Sequence, residues 1–274
     1  EFLSRVLLDK EYKPDYNIGF PAKRITTQLE WEDMVLDYQV ATELEEINVW
    51  ISSGKTVMED WGLSRILKAG YRSLFYGPPG TGKTLAATLL GKKNEMDVYR
   101  IDLSMIVSKY IGETEKNLAK VFDLAENRNW ILFFDEADAL FGKRTSTNTS
   151  NDRHANQEVA YLLQRIEDFP GMVILATNLR SNIDEAFSRR FQSVVYFPMP
   201  TEEQRAELWR NMLPGKWLGK DAEELITMAA ETELSGGAIT NVVRRCALRM
   251  IQSKKKLLDK VMLKEALQKE KIKS

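Results

Sequence analysis

A glycine-rich stretch in the first third of the chain has the composition and spacing of a phosphate-binding loop. Residues 77–84 read Gly-Pro-Pro-Gly-Thr-Gly-Lys-Thr and lie between an apolar segment and a helical pattern. Glycines let backbone N–H groups turn towards phosphate oxygens, and the N-terminus of the following helix adds positive potential. The lysine would contact the β and γ phosphates, and the final threonine would offer its hydroxyl to Mg²⁺. The pattern favours a nucleoside triphosphate site over a Gly-Pro turn with an incidental lysine, and the predicted binding residues are Gly77, Pro78, Pro79, Gly80, Thr81, Gly82, Lys83, Thr84 and Leu85.

Two adjacent acidic residues follow a later apolar segment, Trp130 to Phe134. The carboxyl ends of parallel strands meet at one edge of a sheet, so Asp135 and Glu136 are predicted to lie near the glycine-rich loop. Asp135 would hold Mg²⁺ through water, together with Thr84. Glu136 would orient or activate the water that attacks the γ phosphate. Adjacent acids also occur in ordinary helix caps, so this assignment depends on the loop upstream.

Three further polar residues follow at the same predicted edge or close to it. Asn178 ends the apolar segment Met172 to Thr177, and its amide could hydrogen-bond the γ phosphate or the attacking water. Asparagine is also common in turns, which is the alternative. Arg189 and Arg190 follow a short helical pattern. They could solvate a surface, or stabilise transition-state charge when a neighbouring subunit supplies them.

The elements that must position these residues alternate between strand and helix. Because apolar strand segments alternate with amphipathic helical ones, the pattern indicates an α/β fold whose parallel sheet is covered on both faces. After Pro200 only helical patterns remain. We predict an irregular arm over residues 1–28, a nucleotide-binding α/β domain over 29–200 and a helical domain over 201–274. The five predicted strands are Tyr71 to Tyr76, Val98 to Asp102, Trp130 to Phe134, Met172 to Thr177 and Val194 to Phe197.

Composition excludes several classes of function. The chain has 274 residues, with 39 basic and 40 acidic side chains, so its net charge of −1 gives no general attraction to nucleic acid. No apolar run approaches the roughly 20 residues of a membrane span. A single cysteine, Cys246, excludes an internal disulfide and fits a reducing, cytoplasmic compartment. Since the first residues lack both an initiator Met and a signal-peptide pattern, we expect this sequence to be part of a longer chain.

The ordered motifs resemble those of the AAA ATPases, the classical AAA branch of the AAA+ superfamily, from about Trp31 to Met250. This resemblance implies that Gly77 to Thr84 form the Walker A motif and that Asp135 and Glu136 belong to the Walker B motif. It also implies that Asn178 is sensor 1 and that Arg189 and Arg190 are arginine fingers. It also implies a five-stranded nucleotide domain, a helical lid, ATP with Mg²⁺ as cofactors, and a ring most often of six subunits. The implied catalytic set is Lys83, Glu136, Asn178, Arg189 and Arg190.

Other roles come from the resemblance alone. Gly62 is similar to the segment that meets adenine, and Ala238 to the lid turn that closes over the base. Lys109, Tyr110 and Ile111 resemble the first pore loop, whose aromatic residue grips an extended polypeptide; from the sequence alone, Tyr110 would instead pack on its own helix. The family usually separates its two finger arginines, which are adjacent here, so which one acts stays open. A nucleotide contact by Arg244 or Arg245 also stays open.

The resemblance implies an ATP-hydrolysing motor that assembles into a ring and remodels or unfolds a protein. The alternative is an ATP-dependent switch or loader, acting as a scaffold or on nucleic acid; Glu136 argues for hydrolysis. Residues 135–138 also spell DEAD, the tetrapeptide of a family of RNA helicases. Those helicases resemble two linked ATPase domains, and 274 residues with a helical tail leave no room for the second domain.

Overall fold

The apolar segments between Tyr71 and Tyr196 form the strands of one sheet. The computed structural model describes residues 22–103, 113–126, 128–140, 150–178 and 185–273. The sheet has six strands in the order β1-β3-β4-β5-β2-β6. The strands are β1 (Ala22–Ile25), β2 (Tyr71–Tyr76), β3 (Asp97–Asp102), β4 (Trp130–Asp135), β5 (Met172–Thr177) and β6 (Ser193–Tyr196).

Five of the strands, β2 to β6, run parallel to one another. Tyr76 pairs with Thr177, and Asp102 pairs with Asp135. The carboxyl ends of the four central strands therefore lie in register at one edge of the sheet. Polar residues that follow these strands are brought together there.

The first strand corrects the predicted irregular arm. Ala22–Ile25 pairs antiparallel with β3, so the sheet has one strand more than the five expected. Its four residues carry no distinct alternation, and the pairing depends on contacts distant in sequence. Ala22 is buried, and the guanidinium of Arg24 lies 2.6 Å from Asp97. A strand this short and polar has little local signal, so only its partner strand reveals it.

Helices cover both faces of the sheet. One apolar cluster joins Tyr99, Ile101 and Phe134 to Val121 and Leu162; the other joins Phe75, Ile131 and Phe133 to Leu44 and Ala87. The α-helices are α1 (Tyr38–Lys55), α2 (Lys83–Lys93), α3 (Glu113–Glu126), α4 (Ser150–Asp168), α5 (Glu185–Ser188), α6 (Glu202–Met212), α7 (Ala222–Ala230), α8 (Gly236–Ser253) and α9 (Lys260–Lys271). Short 3-10 turns cover Trp31–Asp33, Leu63–Arg65, Ala137–Leu140 and Gly215–Trp217, and a π turn covers Thr56–Asp60.

The last four α-helices form a second apolar core, which includes Trp209, Ile226, Val242 and Leu263. Thr201 begins α6 with a capping box, and Ser235 caps α8 by accepting the Ala238 N–H. Arg205 is buried at the start of this region, where it donates to the carbonyl oxygens of Pro200 and Ala230, each at 2.7 Å. This arginine ties the chain leaving the sheet to α7. The domain limits at residues 28 and 200 stay a prediction.

Candidate active site

The glycine-rich loop connects β2 to α2 through backbone conformations that favour glycine. Gly77 has a φ of 144°, and an added Cβ would lie 2.1 Å from the Phe197 carbonyl oxygen. Gly80 has a φ of 76°, and its Cβ would meet the Ser235 hydroxyl at 2.6 Å. The Gly80 carbonyl also accepts the Gly237 N–H at 2.9 Å. The loop is thus packed between Phe197, which directly follows β6, and the first turn of α8. A side chain at Gly77 or Gly80 would collide with these neighbours.

Lys83 occupies the first turn of α2 and is 7% exposed. Its ammonium donates to the carbonyl oxygens of Gly77 at 2.7 Å and Pro78 at 2.8 Å. Burial lowers the pKa of Lys83 to about 8, against the opposing influence of Asp135 and Asp138. The loop therefore holds a cation at the place where the sequence predicts phosphate.

The two acids lie at the end of β4, as the sequence predicts. An Asp135 carboxylate oxygen accepts the Glu136 N–H at 3.0 Å, and the other oxygen lies 2.9 Å from the Arg100 guanidinium. Glu136 has a φ of 54°, in the left-handed region, and its side chain is exposed. A non-glycine residue held in this conformation at a strand end is typical of functional sites.

The end of β5 brings Asn178 to the same edge. Thr177 is buried and donates its hydroxyl hydrogen bond to Asp138 in the turn after β4. This contact fixes the ends of the two neighbouring strands against each other. Asn178 follows directly, is exposed and lines the same cavity as Asp135 and Glu136.

These groups surround one cavity of about 470 Å³. Its walls combine the loop and the start of α2 with Asp135, Glu136 and Asn178. A cavity of this size at the carboxyl edge of a parallel sheet suits a nucleotide. The predicted loop residues that line it are Pro79, Gly80, Thr81, Gly82, Lys83, Thr84 and Leu85. Gly77 and Pro78 instead present their carbonyl groups to Lys83.

The opposite wall contains residues that the sequence analysis missed. Asp33 ends a 3-10 turn, and Met34, Val35 and Leu36 follow it before α1; all four line the cavity together with residues of the helical region. The sequence feature that could have indicated this wall is the apolar run Met34, Val35 and Leu36 just before Asp37. Asp37 is the N-cap of α1 and accepts the Gln39 N–H. This wall supplies the apolar surface that a base requires.

Two predicted adenine contacts are not in this wall. Gly62 does not line the cavity; its neighbours Glu59 and Ser64 line a separate cavity beside Tyr71 and Met172, at the amino ends of the strands. The structure thus places Gly62 away from this cavity, in a segment at the opposite edge of the sheet. Ala238 does not line the nucleotide cavity either. Its N–H is bonded to Ser235, and the lid contribution comes from Gly236, Gly237 and Thr240.

The two arginines are exposed and lie outside the cavity of their own chain. Arg190 forms an ion pair with Glu167 at 2.5 Å, and its carbonyl accepts the Arg72 Nε–H at 3.3 Å. Arg72 is buried and also donates to the Glu167 carbonyl at 2.6 Å. The segment carrying the arginines is thereby attached to β2, the strand that leads into the glycine-rich loop. The predicted pore-loop residues Lys109, Tyr110 and Ile111 lie outside the described residues.

The donor set at the carboxyl edge fits Mg²⁺. Thr84 and Asp135 line the same cavity, and their side chains carry oxygen donors of the kind that Mg²⁺ prefers. Mg²⁺ usually keeps several waters and takes phosphate oxygens, so a dedicated protein cage is not required. Within the described ranges, no group of three or more His, Cys, Asp or Glu side chains could hold a metal ion.

The sheet order, the glycine-rich loop and the paired acids together define a P-loop nucleotide-binding domain. Residues 73–199 match the family model "ATPase family associated with various cellular activities (AAA)". The chain belongs to the AAA ATPase family, which confirms the resemblance seen in the sequence. In the described part of the chain, no helix is long and apolar enough to cross a membrane.

Several characterised proteins are similar to the chain over part of their length. It is 42% identical over 146 residues to cell division protein C of Sulfolobus acidocaldarius, covering 49% of this chain and 38% of that protein. It is 31% identical over 193 residues to the proteasome-activating nucleotidase of Methanocella arvoryzae, covering 68% and 46%. It is 34% identical over 188 residues to vacuolar protein sorting-associated protein 4B of Mus musculus, covering 66% and 42%. The chain spans less than half the length of these curated relatives.

A solved structure, "Crystal structure of FIGL-1 AAA domain in complex with ADP", shares the fold. Its TM-score is 0.70 at 22% sequence identity, and the match covers 90% of this chain and 86% of that one. The predicted α/β fold with a following helical region is thereby confirmed.

The position of Lys83 predicts a pH dependence for nucleotide binding. Its pKa of about 8 is below the ordinary lysine value, so the empty folded protein releases this proton at a lower pH than the unfolded chain does. Burial of the charged lysine lowers the free energy of unfolding by its full amount below about pH 8. This destabilisation decreases as pH rises from about 8 to about 10.4, the pKa of lysine in the unfolded chain. Phosphates require the charged form, so affinity for ATP should fall by up to about tenfold per pH unit above about pH 8.

Titration of a fluorescent ATP analogue between about pH 7 and about pH 9 would measure this effect. Calorimetry in two buffers with different ionisation enthalpies should show proton uptake on binding near pH 9. Lys83→Arg keeps its charge throughout and should remove the pH dependence, whatever its absolute affinity. An affinity independent of pH in the unaltered protein would contradict the prediction.

Proposed function

We propose that this chain hydrolyses ATP to ADP and phosphate, and that a ring of identical subunits uses this reaction to remodel or unfold a protein substrate. The observation that carries the proposal is the convergence of Lys83, Asp135, Glu136 and Asn178 on one cavity at the carboxyl edge of the sheet. This arrangement contains a group for each requirement of phosphoryl transfer to water: phosphate binding, metal binding, and orientation of the nucleophile.

Each residue has a separate task in this mechanism. Lys83 would leave the Gly77 and Pro78 carbonyl groups to contact the phosphates, together with the loop N–H groups. Thr84 and Asp135 would hold Mg²⁺, which neutralises charge on the phosphate oxygens. Glu136 would accept a proton from the attacking water, and Asn178 would orient that water or the γ phosphate. The new P–O bond forms as the bond between the γ phosphorus and the β–γ bridging oxygen breaks.

The position of the two arginines outside the cavity of their own chain supports a ring. Arg189 and Arg190 lie outside the cavity of their own chain, and Glu167 and Arg72 hold the segment that presents them. Arginine stabilises transition-state charge when it is supplied in trans. The names of two relatives, proteasome-activating nucleotidase and vacuolar protein sorting-associated protein 4B, support a protein as the substrate. We further propose a cytoplasmic location and a ring of six subunits, both by analogy with the family.

Activity should therefore depend on assembly. We expect the ATPase rate per subunit to rise with protein concentration, in parallel with the mass measured by light scattering. Arg189→Ala and Arg190→Ala should each lower the rate, and mixing either variant with Lys83→Ala subunits should restore part of it, since each supplies what the other lacks. Arg65→Ala, an exposed arginine at the opposite edge of the sheet, is the matched control and should change nothing.

Failure of every mixture to recover activity would contradict action in trans. The same assay with unfolded protein or with DNA separates a protein-remodelling motor from a loader on nucleic acid. Stimulation by unfolded protein would support the first function. A protein that binds ATP without turnover in any mixture would be a switch.

A further inference from the structure

A second cation lies beside the Asp135 carboxylate. Arg100 is on β3, which pairs with β4, and its Nη2 lies 2.9 Å from Asp135 Oδ2. In the sheet Arg100 is level with Phe133, so its side chain extends along the strand to reach Asp135. Residues two apart share a face of a strand, and Val98 and Phe133 face α2. Arg100 is thus on the side of the sheet that carries the glycine-rich loop and its helix.

The contact is of a kind that another cation can displace. One guanidinium nitrogen meets one carboxylate oxygen, and the buried Nε of Arg100 has no hydrogen-bond partner among the described residues. The Nε–H therefore adds no hydrogen bond to this ion pair. The Arg100 side chain is 41% exposed, so it has room to turn towards solvent.

The other oxygen of Asp135 is fixed from within its own strand end. It accepts the Glu136 N–H at 3.0 Å, in the turn where Glu136 adopts a positive φ. Both oxygens of the carboxylate are thus engaged in this structure, one by the backbone and one by a cation. Movement of Arg100 or competition for the carboxylate by another cation would relieve the contact.

We propose that Arg100 is a positioning residue that holds Asp135 and sets the Mg²⁺ concentration at which nucleotide binds. Mg²⁺ and its water must take the carboxylate against an attached positive charge, which lowers the affinity of the site for Mg²⁺. This inference rests on the proposed nucleotide site and adds to it a residue outside the predicted set.

The test is the Mg²⁺ dependence of nucleotide binding, measured without turnover. A fluorescent, non-hydrolysable ATP analogue is titrated with Mg²⁺ for the unaltered protein and for Arg100→Gln. We expect the half-saturating Mg²⁺ concentration to fall by about three- to tenfold in Arg100→Gln, the range of a partly buried, charge-assisted contact. Arg100→Lys retains the charge and should stay near the unaltered protein.

Arg24→Gln is a matched control. Arg24 lies on the adjoining strand β1 and pairs with Asp97 at 2.6 Å, at the other end of β3 from Asp135. Its loss removes an Arg–Asp ion pair from the same sheet, away from the cavity, and should leave the Mg²⁺ dependence unchanged. An equal or higher Mg²⁺ requirement in Arg100→Gln, with nucleotide still bound, would overturn the role of Arg100 alone. Absence of nucleotide binding in the unaltered protein would overturn this inference and the proposed function together.

Discussion

Replacing Glu136 by glutamine should lower the ATPase rate by about 10²–10⁴-fold while nucleotide affinity changes little. The amide keeps the size and hydrogen-bonding reach of the carboxylate but cannot accept the proton of the attacking water. Nucleotide affinity should persist because Lys83, Thr84 and Asp135 are unchanged. The Glu136 N–H would still bond to Asp135, so the turn should keep its shape.

Two measurements separate this loss of chemistry from loss of structure. Steady-state phosphate release gives the rate, and titration with a fluorescent ATP analogue gives the affinity. Glu59→Gln makes the same change at an exposed carboxylate near the opposite sheet edge and should behave like the unaltered protein. A Glu136→Gln variant that retains full turnover would remove Glu136 from the mechanism. If hydrolysis releases the substrate, the variant should also retain bound proteins longer in a pull-down.

Replacing Lys83 by methionine should reduce nucleotide affinity by about 10²-fold or more, because charge-assisted hydrogen bonds to phosphate are lost. The empty protein should retain its stability within a few degrees of its Tm. Two effects oppose each other: the carbonyl groups of Gly77 and Pro78 lose their donor, while the burial of a charge is relieved.

Thermal unfolding with and without Mg²⁺ and an ATP analogue tests both parts. At ligand concentrations near 100 times Kd, the unaltered protein should gain about 5–10 °C, and Lys83→Met should gain almost nothing. Lys92→Met is the control, since Lys92 is on the same helix but pairs with Glu30 outside the cavity. A Lys83→Met variant with the full nucleotide-dependent increase in Tm would show that phosphate binds elsewhere.

The central part of the fold was predictable because its signals are local. Tyr71–Tyr76 and Met172–Thr177 have the predicted limits, since each is an apolar run bounded by turn residues. The glycines of the loop indicate by themselves that its backbone adopts conformations that other residues rarely adopt. The acids of Asp135 and Glu136 were placed correctly at a strand end, because parallel strands deliver their last residues to one edge.

What was missed depends on contacts distant in sequence. β1 is a strand only because β3 pairs with it. Met34 and Val35 become a cavity wall only because the chain before α1 folds back beside the loop. Gly62 was placed by resemblance in a segment that lies at the other sheet edge. The pairing of Arg100 with Asp135 requires knowledge of which strands are neighbours, which no short motif contains.

The hydrogen bond from the Gly237 N–H to the Gly80 carbonyl has a mechanical consequence. At this point the glycine-rich loop and the start of α8 contact each other through backbone atoms, because both residues are glycines. A displacement of Gly80 must either carry the first turn of α8 with it or break that bond. We therefore expect the glycine-rich loop and the first turn of α8 to shift as one unit, so that a change of conformation at Gly80 would be passed directly to the helical region.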